Sequence, residues 1–526
     1  MQIIGRGTWL DKVAVKLIER EKKIGRDLSM IKVESGLGAS GVPHIGSLGD
    51  AVRAYGIKMA LENMGYKSEL IAYSDDMDGL RKVPEGLPAW LNGHLAKPVS
   101  TITDPFDCHS SYGAHMSSIL IDALDRLDVK YRFQSGKEAY RQGLLVEQID
   151  VILRNAKFIG DKIEAMVGQE KFKTSLPYFP ICRNCKRIYV TEAYDYLKEE
   201  KKVLYRCKGT QMGKKFVDGC DHEGSADIRT DDGKLGWKVE FAARWQAFSV
   251  RFEAYGKDIM DSVMVNDWVA DEILKYPHPL HIRYEMFLDK SGKKISKSLG
   301  NVLTPQSWLR YGNPQSIMLL LFKRVKGTRN VDLSDVPKLM DEYNYLEDVY
   351  LDNVSVDNEL KRAKLRGIYE YINHQKPPLI PSQHVPYMLL AQLSSVIKGD
   401  DRIDYVINKL KSYGTIKDKT DDLIDRIKLA CNWADDFGHF EKAEVTIDDK
   451  QRHALSDLIE VIKSETDPKN LQTKIFDVAR SNGIEPRDFF KLLYAILLGV
   501  ERGPRLGPYI VDVSREKVVE TLKQYL

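Results

Sequence analysis

The chain contains few cysteines, no long apolar run and no excess of one charge, and each absence excludes a class of protein. Six cysteines among 526 residues are too few for a disulfide scaffold, which favours a reducing cytoplasm. No apolar run approaches the roughly 20 residues that cross a bilayer, and the first residues lack the order of a signal peptide, so we expect no membrane partner. The 79 basic and 76 acidic residues nearly cancel, so the total charge neither favours nor excludes nucleic acid as a partner.

The N-terminal part alternates short apolar runs with helical periodicity. After an amphipathic opening helix, Met30–Val33 is predicted to be a buried strand and Leu70–Tyr73 a second strand. Between them, apolar residues at helical spacing predict a helix over Leu48–Leu61 that is ended by Gly65. Strand, helix and strand in this order form a βαβ unit. We therefore predict an α/β fold with a doubly wound parallel sheet of the Rossmann type, in which ligands bind beyond the carboxyl ends of the strands.

The rest of the chain divides into an insertion, a return to the sheet and a helical region. Residues 146–225 break into shorter elements and hold four of the six cysteines, which indicates an insertion. Lys238–Phe241 and Ser262–Val265 are predicted to be strands that resume the sheet. Beyond about Asp332 the signals are almost entirely helical, which predicts an all-α C-terminal region.

Two loops carry residue types that bind phosphate. Residues 36–47 read Gly-Leu-Gly-Ala-Ser-Gly-Val-Pro-His-Ile-Gly-Ser and lie between the first strand and its helix. Glycines permit close backbone approach, the helix start presents N–H donors, and His44 can donate to phosphate oxygens. A second, strongly cationic loop over residues 289–301 contains Lys294 and Lys297. Alone, the first loop is more often a surface turn and the second a solvated charge run.

Together, the two loops resemble the signature motifs of class I aminoacyl-tRNA synthetases. The "HIGS" at His44 follows the first predicted strand, and the "KISKS" at Lys294 follows the last. The resemblance implies ATP as a substrate, Mg²⁺ with it, and His44, Lys294 and Lys297 as catalytic residues that stabilise charge on the phosphates. It also implies that ATP is bound by small and polar residues of both loops: Gly41, His44, Gly46, Ser47, Lys294, Ser296 and Lys297.

Longer segments resemble the lysyl members of class I. These are "SDDMDGLRKVPEGLP" from Ser74, "DPFDCHSSYGAHM" from Asp104, "WKVEFAARWQAFSVRFEAYGKD" from Trp237 and "RYEMF" from Arg283. A segment from Leu471 resembles the end of a helical anticodon-binding cage. The resemblance implies that L-lysine is activated with ATP to lysyl-adenylate and transferred to the 3′ end of tRNA(Lys), and we expect a monomer.

The resemblance also gives each part of the chain an expected role. Residues 1–145 and 226–300 are predicted to form the Rossmann-like catalytic domain, and residues 146–225 a connective insertion with a zinc knuckle. Residues 301–345 are predicted to form a stem-contact linker, and residues 346–526 an α-helical anticodon-binding domain.

A lysine site needs a carboxylate near each ammonium group and an apolar wall along the methylene stem. The resemblance places four residues at this pocket: Gly36, Gly38, Trp237 and Tyr284. The acidic residues beyond the predicted strands are our own candidates for holding an ammonium group, with a solvated turn or helix cap as the equal alternative for each: Asp50, Asp75, Asp76 and Asp78.

Two departures from the family pattern leave other functions open. The chain has Ile259 where the family usually has a histidine, and Ser47 where an asparagine or histidine often follows "HIG". These changes are compatible with a shifted solution to the same task, a paralogue of altered specificity, or an RNA-binding protein that has lost aminoacylation. A related adenylate-forming enzyme without RNA is a further alternative, but it would not need the long helical region.

The insertion carries the spacing of a metal knuckle. Cys182 and Cys185 form a C-x2-C pair, followed by Cys207 and Cys220, and four thiolates suit tetrahedral zinc. Because twelve residues separate the second pair, a loop such as Gly209–Asp218 must bulge out of the site. Buried or vestigial cysteines are the alternative. The two remaining cysteines, Cys108 and Cys431, are predicted to be isolated thiols.

Overall fold

The chain forms two compact units in the computed structural model. The structure describes residues 3–213, 215–285, 287–293, 303–437, 445–499, 501 and 503–526. The first unit contains Met1–Gln306, Met318–Asp332 and Asp357–Lys376, and the second contains Ser307–Ile317, Leu333–Val356 and Pro377–Leu526. Among the described helices, none combines the length and the apolar character that crossing a membrane requires.

A five-stranded sheet with all strands parallel lies at the centre of the first unit. In chain order its strands are β1 (Ile31–Leu37), β2 (Ser68–Ser74), β3 (Arg132–Ser135), β4 (Val250–Gly256) and β5 (Leu280–Tyr284). Their order across the sheet is β5-β4-β1-β2-β3. The chain therefore proceeds to one side of β1 through β2 and β3, and returns on the other side through β4 and β5. This confirms the predicted doubly wound sheet and creates a switch point between β1 and β4, where such folds bind ligands.

The helix after β1 confirms the first βαβ unit. It spans Ile45–Asn63, three residues earlier than the periodicity predicts, because His44 acts as its N-cap with an imidazole acceptor. At the other end, Gly65 follows the C-cap Met64 with φ of +87°, a left-handed conformation that glycine adopts without strain. Both neighbouring strands are longer than predicted, so Gly36 lies within β1 rather than after it.

The strands predicted at Lys238–Phe241 and Ser262–Val265 are wrong. Both segments lie in helices, Trp237–Phe248 and Met260–Trp268. The first helix is buried on nearly every side, so its apolar residues show no helical periodicity, and short apolar runs of this kind do not distinguish strand from buried helix. The strand between them is Val250–Gly256, whose buried and partly exposed residues alternate.

Further helices of the first unit precede the sheet, connect its strands or follow it in the chain. The α-helices are Trp9–Lys23, Tyr112–Arg126, Gly136–Arg141 and Glu359–Ile372. Shorter 3-10 helices are Ala89–His94, Val99–Thr101 and Lys257–Ile259, with one π-helical turn at Val269–Ile273. Phe287–Leu288 pairs in parallel with Arg329–Asn330, and the helices Pro305–Leu309 and Pro314–Phe322 lie between them in sequence.

The cysteine-containing segment of the first unit consists of short helices and strands. Its helices are Val146–Arg154, Ala156–Val167 and Lys171–Thr174. A three-stranded antiparallel sheet contains Thr191–Leu197, Lys202–Cys207 and Glu223–Asp227. Two further pairs are Tyr178–Pro180 with Gly233–Leu235, and Gly209–Met212 with Lys215–Asp218.

The described part of the second unit is helical, as predicted. A 3-10 turn at Leu333–Asp335 precedes the first of its helices. The helices are Val336–Tyr350, Tyr387–Ser394, Arg402–Ser412, Asp421–Phe437, Asp449–Ser464, Pro468–Ser481, Pro486–Leu498, Leu506–Val513 and Arg515–Lys523. Apolar side chains such as Leu389, Leu458 and Leu493 are fully buried in this unit.

Candidate active site

A cavity of about 340 Å³ opens at the carboxyl edge of the sheet, at the switch point between β1 and β4. Its size is typical of a small-molecule site. Of the described residues, six with carboxylates line it, against the guanidinium groups of Arg81 and Arg244. The six are Asp50, Asp75, Asp78, Glu253, Asp258 and Glu285. The cavity is therefore suited to a cationic ligand.

His44 lines the cavity, and one of its ring nitrogens is hydrogen-bonded to the backbone. The backbone N–H groups of Gly46 and Ser47 donate to Nδ1 of His44, at 3.1 and 3.3 Å. A nitrogen that accepts from N–H groups carries no proton, so the proton of the neutral ring is on Nε2. His44 is thus an Nε2–H donor at the N-terminus of a nineteen-residue helix, where the helix dipole favours anions.

Arg244 lies among three carboxylates. Its Nη2 is 2.6 Å from Oε1 of Glu34 and 3.7 Å from Oε1 of Glu253, and its Nη1 is 3.0 Å from Oδ1 of Asp75. Arg244 and Glu34 are almost completely buried. The guanidinium also stacks over the ring of Tyr73 at 4.2 Å. One positive charge faces three carboxylates, so the cluster lacks positive charge.

Two carboxylates of this cluster, Asp75 and Glu253, line the cavity, and both have raised pKa values. Burial raises the pKa of Asp75 to about 7, although the charges of Arg244 and Lys234 oppose the rise. Burial, followed by the charge of Glu34, raises the pKa of Glu253 to about 8. A cation bound between Asp75 and Glu253 would favour the ionised form of both.

A second buried ion-pair group stands beside the first. Nζ of Lys234 is 2.7 Å from Oδ1 of Asp78 and 2.8 Å from Oε2 of Glu240. Tyr189 and Trp237 also donate to Oδ1 of Asp78, at 3.1 and 3.3 Å. Although burial opposes it, the ammonium of Lys234 holds the pKa of Asp78 below its usual value. Asp78 lines the cavity but already has its counter-ion.

Asp50 differs from the other acidic residues of the cavity. Its Oδ1 is buried and has no hydrogen-bond partner among the described residues. Burial raises the pKa of Asp50 well above its usual value, against the opposing charge of Arg53. Arg53 itself stacks over the ring of Tyr284 at 4.2 Å, which fixes that ring in the cavity wall.

The structure brings together most of the described residues that the sequence indicated. Ten line the cavity: Gly36, Gly38, His44, Gly46, Ser47, Asp50, Asp75, Asp78, Trp237 and Tyr284. Gly41 is not among the lining residues. Asp76 accepts hydrogen bonds from Ser135 and from the backbone of Lys137, at 2.5 and 2.7 Å, so it closes the end of β3 instead. Three predicted residues lie outside the described ranges: Lys294, Ser296 and Lys297.

Sequence reasoning missed the residues that set the charge of the cavity. Arg244, Glu253 and Lys234 were not singled out, although two of them lie in the long segment from Trp237. A usable signal was present, because Glu240 and Arg244 lie among the apolar residues of a largely apolar segment, and buried charges require partners. Ile259 and Ser47, the two departures from the family pattern, also line the cavity.

The four cysteines of the insertion converge as their spacing predicts. Their sulfur atoms all lie within 4.8 Å of one another, with 3.5 Å between Cys182 and Cys220 and 3.7 Å between Cys185 and Cys207. Sulfurs bound tetrahedrally to zinc at about 2.3 Å are about 3.8 Å apart, so the donors fit this ion. Between Cys207 and Cys220, Gly209–Met212 pairs antiparallel with Lys215–Asp218, which confirms the predicted bulge.

Comparisons with known proteins agree with this site. Residues 7–375 match the model of a family described as tRNA synthetases class I (K). A lysine–tRNA ligase of Cenarchaeum symbiosum (strain A) is 54% identical over 522 residues, which cover 99% of each chain. A lysine–tRNA ligase of Rickettsia prowazekii (strain Madrid E) is 30% identical, with 99% of this chain and 97% of that protein covered.

Among solved structures, a glutamate tRNA ligase from Elizabethkingia meningosepticum is 14% identical, with a TM-score of 0.34 over 94% of this chain and 99% of that one. At that score the likeness supports no structural conclusion. The family match covers both the glycine-rich turn at His44 and the carboxylate-lined wall of the cavity. With two relatives aligned over nearly its full length, the chain belongs to the class I tRNA synthetases of the family designated K.

Proposed function

We propose that the chain is a lysine–tRNA ligase. It activates L-lysine with ATP to lysyl-adenylate and pyrophosphate, and then transfers the lysyl group to the 3′ end of tRNA(Lys). The family implies ATP and Mg²⁺, and a relative that is 54% identical is named lysine–tRNA ligase. The observation that carries the proposal is a cavity with an excess of carboxylates beside the helix N-terminus at His44.

The ammonium group of the lysine side chain binds at Asp75 and Glu253. Both carboxylates line the cavity, and both share the single guanidinium of Arg244 with Glu34. An ammonium group supplies the positive charge that this cluster lacks. A neutral side chain of the same length would leave the carboxylates without this counter-ion. A buried charge that lacks its partner costs about 3–5 kcal/mol.

Asp50 is our candidate for the α-ammonium group. Its unpartnered Oδ1 in the cavity needs a donor, and an ammonium group provides up to three. Aromatic rings supply the apolar wall along the methylene stem. The ring centroids of Trp237 and Phe241 are 5.7 Å apart, and Tyr284 lines another part of the cavity.

ATP binds along the glycine-rich turn. His44 offers its Nε2–H, and the start of the helix offers a positive dipole, to the phosphate oxygens. A Cβ at Gly46 would lie 2.7 Å from the ring of His44, so only glycine leaves that ring in place. Lys294, Ser296 and Lys297 lie outside the described residues, and their contacts with the triphosphate follow from the motif alone.

The first reaction joins the two substrates in this cavity. A carboxylate oxygen of lysine bonds to the α-phosphorus of ATP as the bond to pyrophosphate breaks, and negative charge grows on the phosphate oxygens. His44, Lys294 and Lys297 stabilise that charge, and Mg²⁺ accompanies the triphosphate. In the second reaction a hydroxyl of the terminal adenosine of tRNA attacks the lysyl carbonyl, and AMP leaves.

Further roles follow for the rest of the chain. The four-cysteine cluster holds a structural zinc ion in residues 146–225, since its donors have the type and spacing that zinc requires. The catalytic domain comprises residues 1–145 and 226–300, residues 301–345 contact the tRNA stem, and the helical residues 346–526 bind the anticodon. A monomer acting in the cytoplasm stays our prediction.

Amino-acid-dependent exchange of labelled pyrophosphate into ATP tests the proposal. The purified protein is assayed with each standard amino acid, with and without tRNA. Exchange with lysine and with no other amino acid is the expected result. Exchange with a different amino acid would identify a paralogue of changed specificity, and no exchange under either condition would favour an RNA-binding protein without aminoacylation.

A further inference from the structure

Arg53 is a buried cation that forms no hydrogen bond through two of its three guanidinium nitrogens. It is 1% exposed and belongs to the helix Ile45–Asn63, which begins at the cavity. In the described part of the chain, neither Nε nor Nη1 of Arg53 has a hydrogen-bond partner. A buried charge without a direct partner is unfavourable, so this arrangement requires an explanation.

Two aromatic rings and a glycine hold the guanidinium of Arg53 in place. Its carbon lies 4.2 Å from the ring centroid of Tyr284 and 5.7 Å from that of Phe287, and both rings line the cavity. Gly49 lies one helical turn earlier, and a Cβ there would be 2.7 Å from Nη1. The guanidinium therefore fills the space beside Gly49 and is stabilised by aromatic faces in place of a carboxylate.

Asp50 lies on the same face of the helix, three residues before Arg53. The two charges interact through space, and the charge of Arg53 opposes the rise that burial causes in the pKa of Asp50. Burial lowers the pKa of Arg53 itself to about 10, so the arginine stays cationic at neutral pH. The other charge that acts on Asp50 is Asp258, in the 3-10 helix Lys257–Ile259, and it disfavours the carboxylate.

Asp78 shows the effect of a direct ion pair in the same cavity. Its Oδ1 lies 2.7 Å from Nζ of Lys234, so its charge is already compensated. Asp50 keeps an unpartnered Oδ1, because Arg53 is held against aromatic rings and not against the carboxylate. Asp50 thus combines a stabilising positive charge nearby with an acceptor that a ligand can use.

We propose that Arg53 is a positioning residue of the amino-acid site, which keeps Asp50 ionised from behind the cavity wall and leaves its oxygen free for the α-ammonium group of lysine. This inference rests on the proposed function, in which Asp50 holds that group. Arg53 is not among the residues that line the cavity, so it acts through Asp50. Gly49 contributes by admitting the guanidinium.

Calorimetric titration of the full-length protein with lysine tests the role of the charge without requiring catalysis. Arg53→Met removes the charge and keeps a long apolar side chain. We expect its Kd for lysine to rise roughly 10-fold, as when the pKa of a carboxyl group rises by one unit, with Kd for ATP little changed. Arg53→Lys, which keeps a positive charge, should recover most of the affinity. Equal lysine affinity in Arg53→Met and the wild type would overturn the proposal.

A ligand without the α-ammonium group separates this role from a merely structural one. 6-Aminohexanoic acid is lysine without its α-amino group, so its Kd should be the same in the wild type and in Arg53→Met. Arg329→Met is the matched control, because Arg329 also stacks on Phe287, at 5.0 Å, and lies outside the cavity lining. It should bind lysine as the wild type does. Equal losses for lysine and for 6-aminohexanoic acid in Arg53→Met would contradict the proposal.

Gly49→Ala tests the position of the charge. The added Cβ would meet Nη1 of Arg53 at 2.7 Å and Cδ2 of Leu321 at 3.1 Å, both at the flexible ends of side chains, so the guanidinium must move. Alanine is the better helix former, so the unfolding temperature should be retained while Kd for lysine rises several-fold. Unchanged lysine affinity in Gly49→Ala would contradict the proposal. A wild type that binds lysine but exchanges no pyrophosphate would refute the proposed function and leave this inference standing.

Discussion

Nη1 of Arg244 lies 3.0 Å from Oδ1 of Asp75 at the wall of the cavity, and both side chains are buried. The same guanidinium also faces Glu34 and Glu253. Arg244 therefore holds the carboxylates in position without neutralising all of them. Because the remaining negative charge faces the cavity, the pair determines which ligand charge the site accepts.

Replacement of Asp75 should weaken lysine binding selectively. In Asp75→Asn we expect KM for lysine to rise roughly 10- to 100-fold, the size of losing a hydrogen bond to a charged group worth about 1.5–3 kcal/mol, with KM for ATP little changed. Pyrophosphate exchange at varied lysine concentration measures both constants. Asp76→Asn is the matched control, because the carboxylate of Asp76 accepts hydrogen bonds from Ser135 and from the backbone of Lys137. Equal effects in the two variants would remove Asp75 from the site.

The lysine affinity should increase with pH. The pKa of Asp75 is raised by burial to about 7 and that of Glu253 to about 8, so both are partly protonated at neutral pH, and only their ionised forms attract the ammonium group. Raised carboxylate pKa values also mean that the folded protein without lysine loses stability as pH rises from about 4 towards 8, because it binds more protons than the unfolded chain.

Thermal unfolding with and without lysine between pH 5.5 and 8.5 measures this linkage. The increase in Tm produced by lysine should grow with pH over this range. In Glu253→Gln the growth should be smaller, because one titrating group is gone. A lysine-induced shift in Tm that is independent of pH would show that neither carboxylate contacts the ammonium group.

His44→Asn should separate the two roles of this residue. Asparagine is a good N-cap, so the helix Ile45–Asn63 and the unfolding temperature should be preserved. The Nε2–H donor is lost, and kcat for pyrophosphate exchange should fall about 100-fold, as on removal of one transition-state donor. His94→Asn, at a histidine outside the cavity lining, is the control. A stable His44→Asn variant with unchanged kcat would be incompatible with the assigned role.

Lys297→Ala should slow adenylate formation by roughly 100-fold through loss of an electrostatic partner of the departing pyrophosphate. Single-turnover measurement of ATP cleavage in the presence of lysine isolates this step. Lys293→Ala, in the described part of the same loop, is the control and should retain most activity. If Lys297→Ala retains as much of the wild-type rate as an active Lys293→Ala, Lys297 has no part in the chemistry.

Removal of zinc from the four-cysteine cluster should destabilise the insertion rather than the sheet. In Cys182→Ser with Cys185→Ser we expect the loss of one zinc equivalent and new protease cleavage within residues 176–235, because structural zinc contributes directly to folding. Mass spectrometry of the fragments locates the cleavage. Unchanged zinc content together with an intact insertion would favour vestigial cysteines.

The sequence predicted local features of the chain better than features that depend on the packing of distant residues. The helix after β1 and the bulge between Cys207 and Cys220 followed from spacing and turn residues close together in the chain. The strands predicted near Lys238 and Ser262 failed because those segments are buried helices, in which apolar residues carry no periodicity. Burial on all sides is a property of packing, and no local pattern reports it.

The sequence by itself determined the family, the parallel sheet and the loop that presents His44, because each depends on short motifs whose geometry is local. Only the tertiary structure decided the charge of the cavity. It brought Glu34, in the middle of β1, and Asp75, directly after the neighbouring β2, to Arg244, which follows them by more than 160 residues in the chain. The energy of a buried ion depends on the number and position of its counter-ions, and these are set by the packing of distant elements.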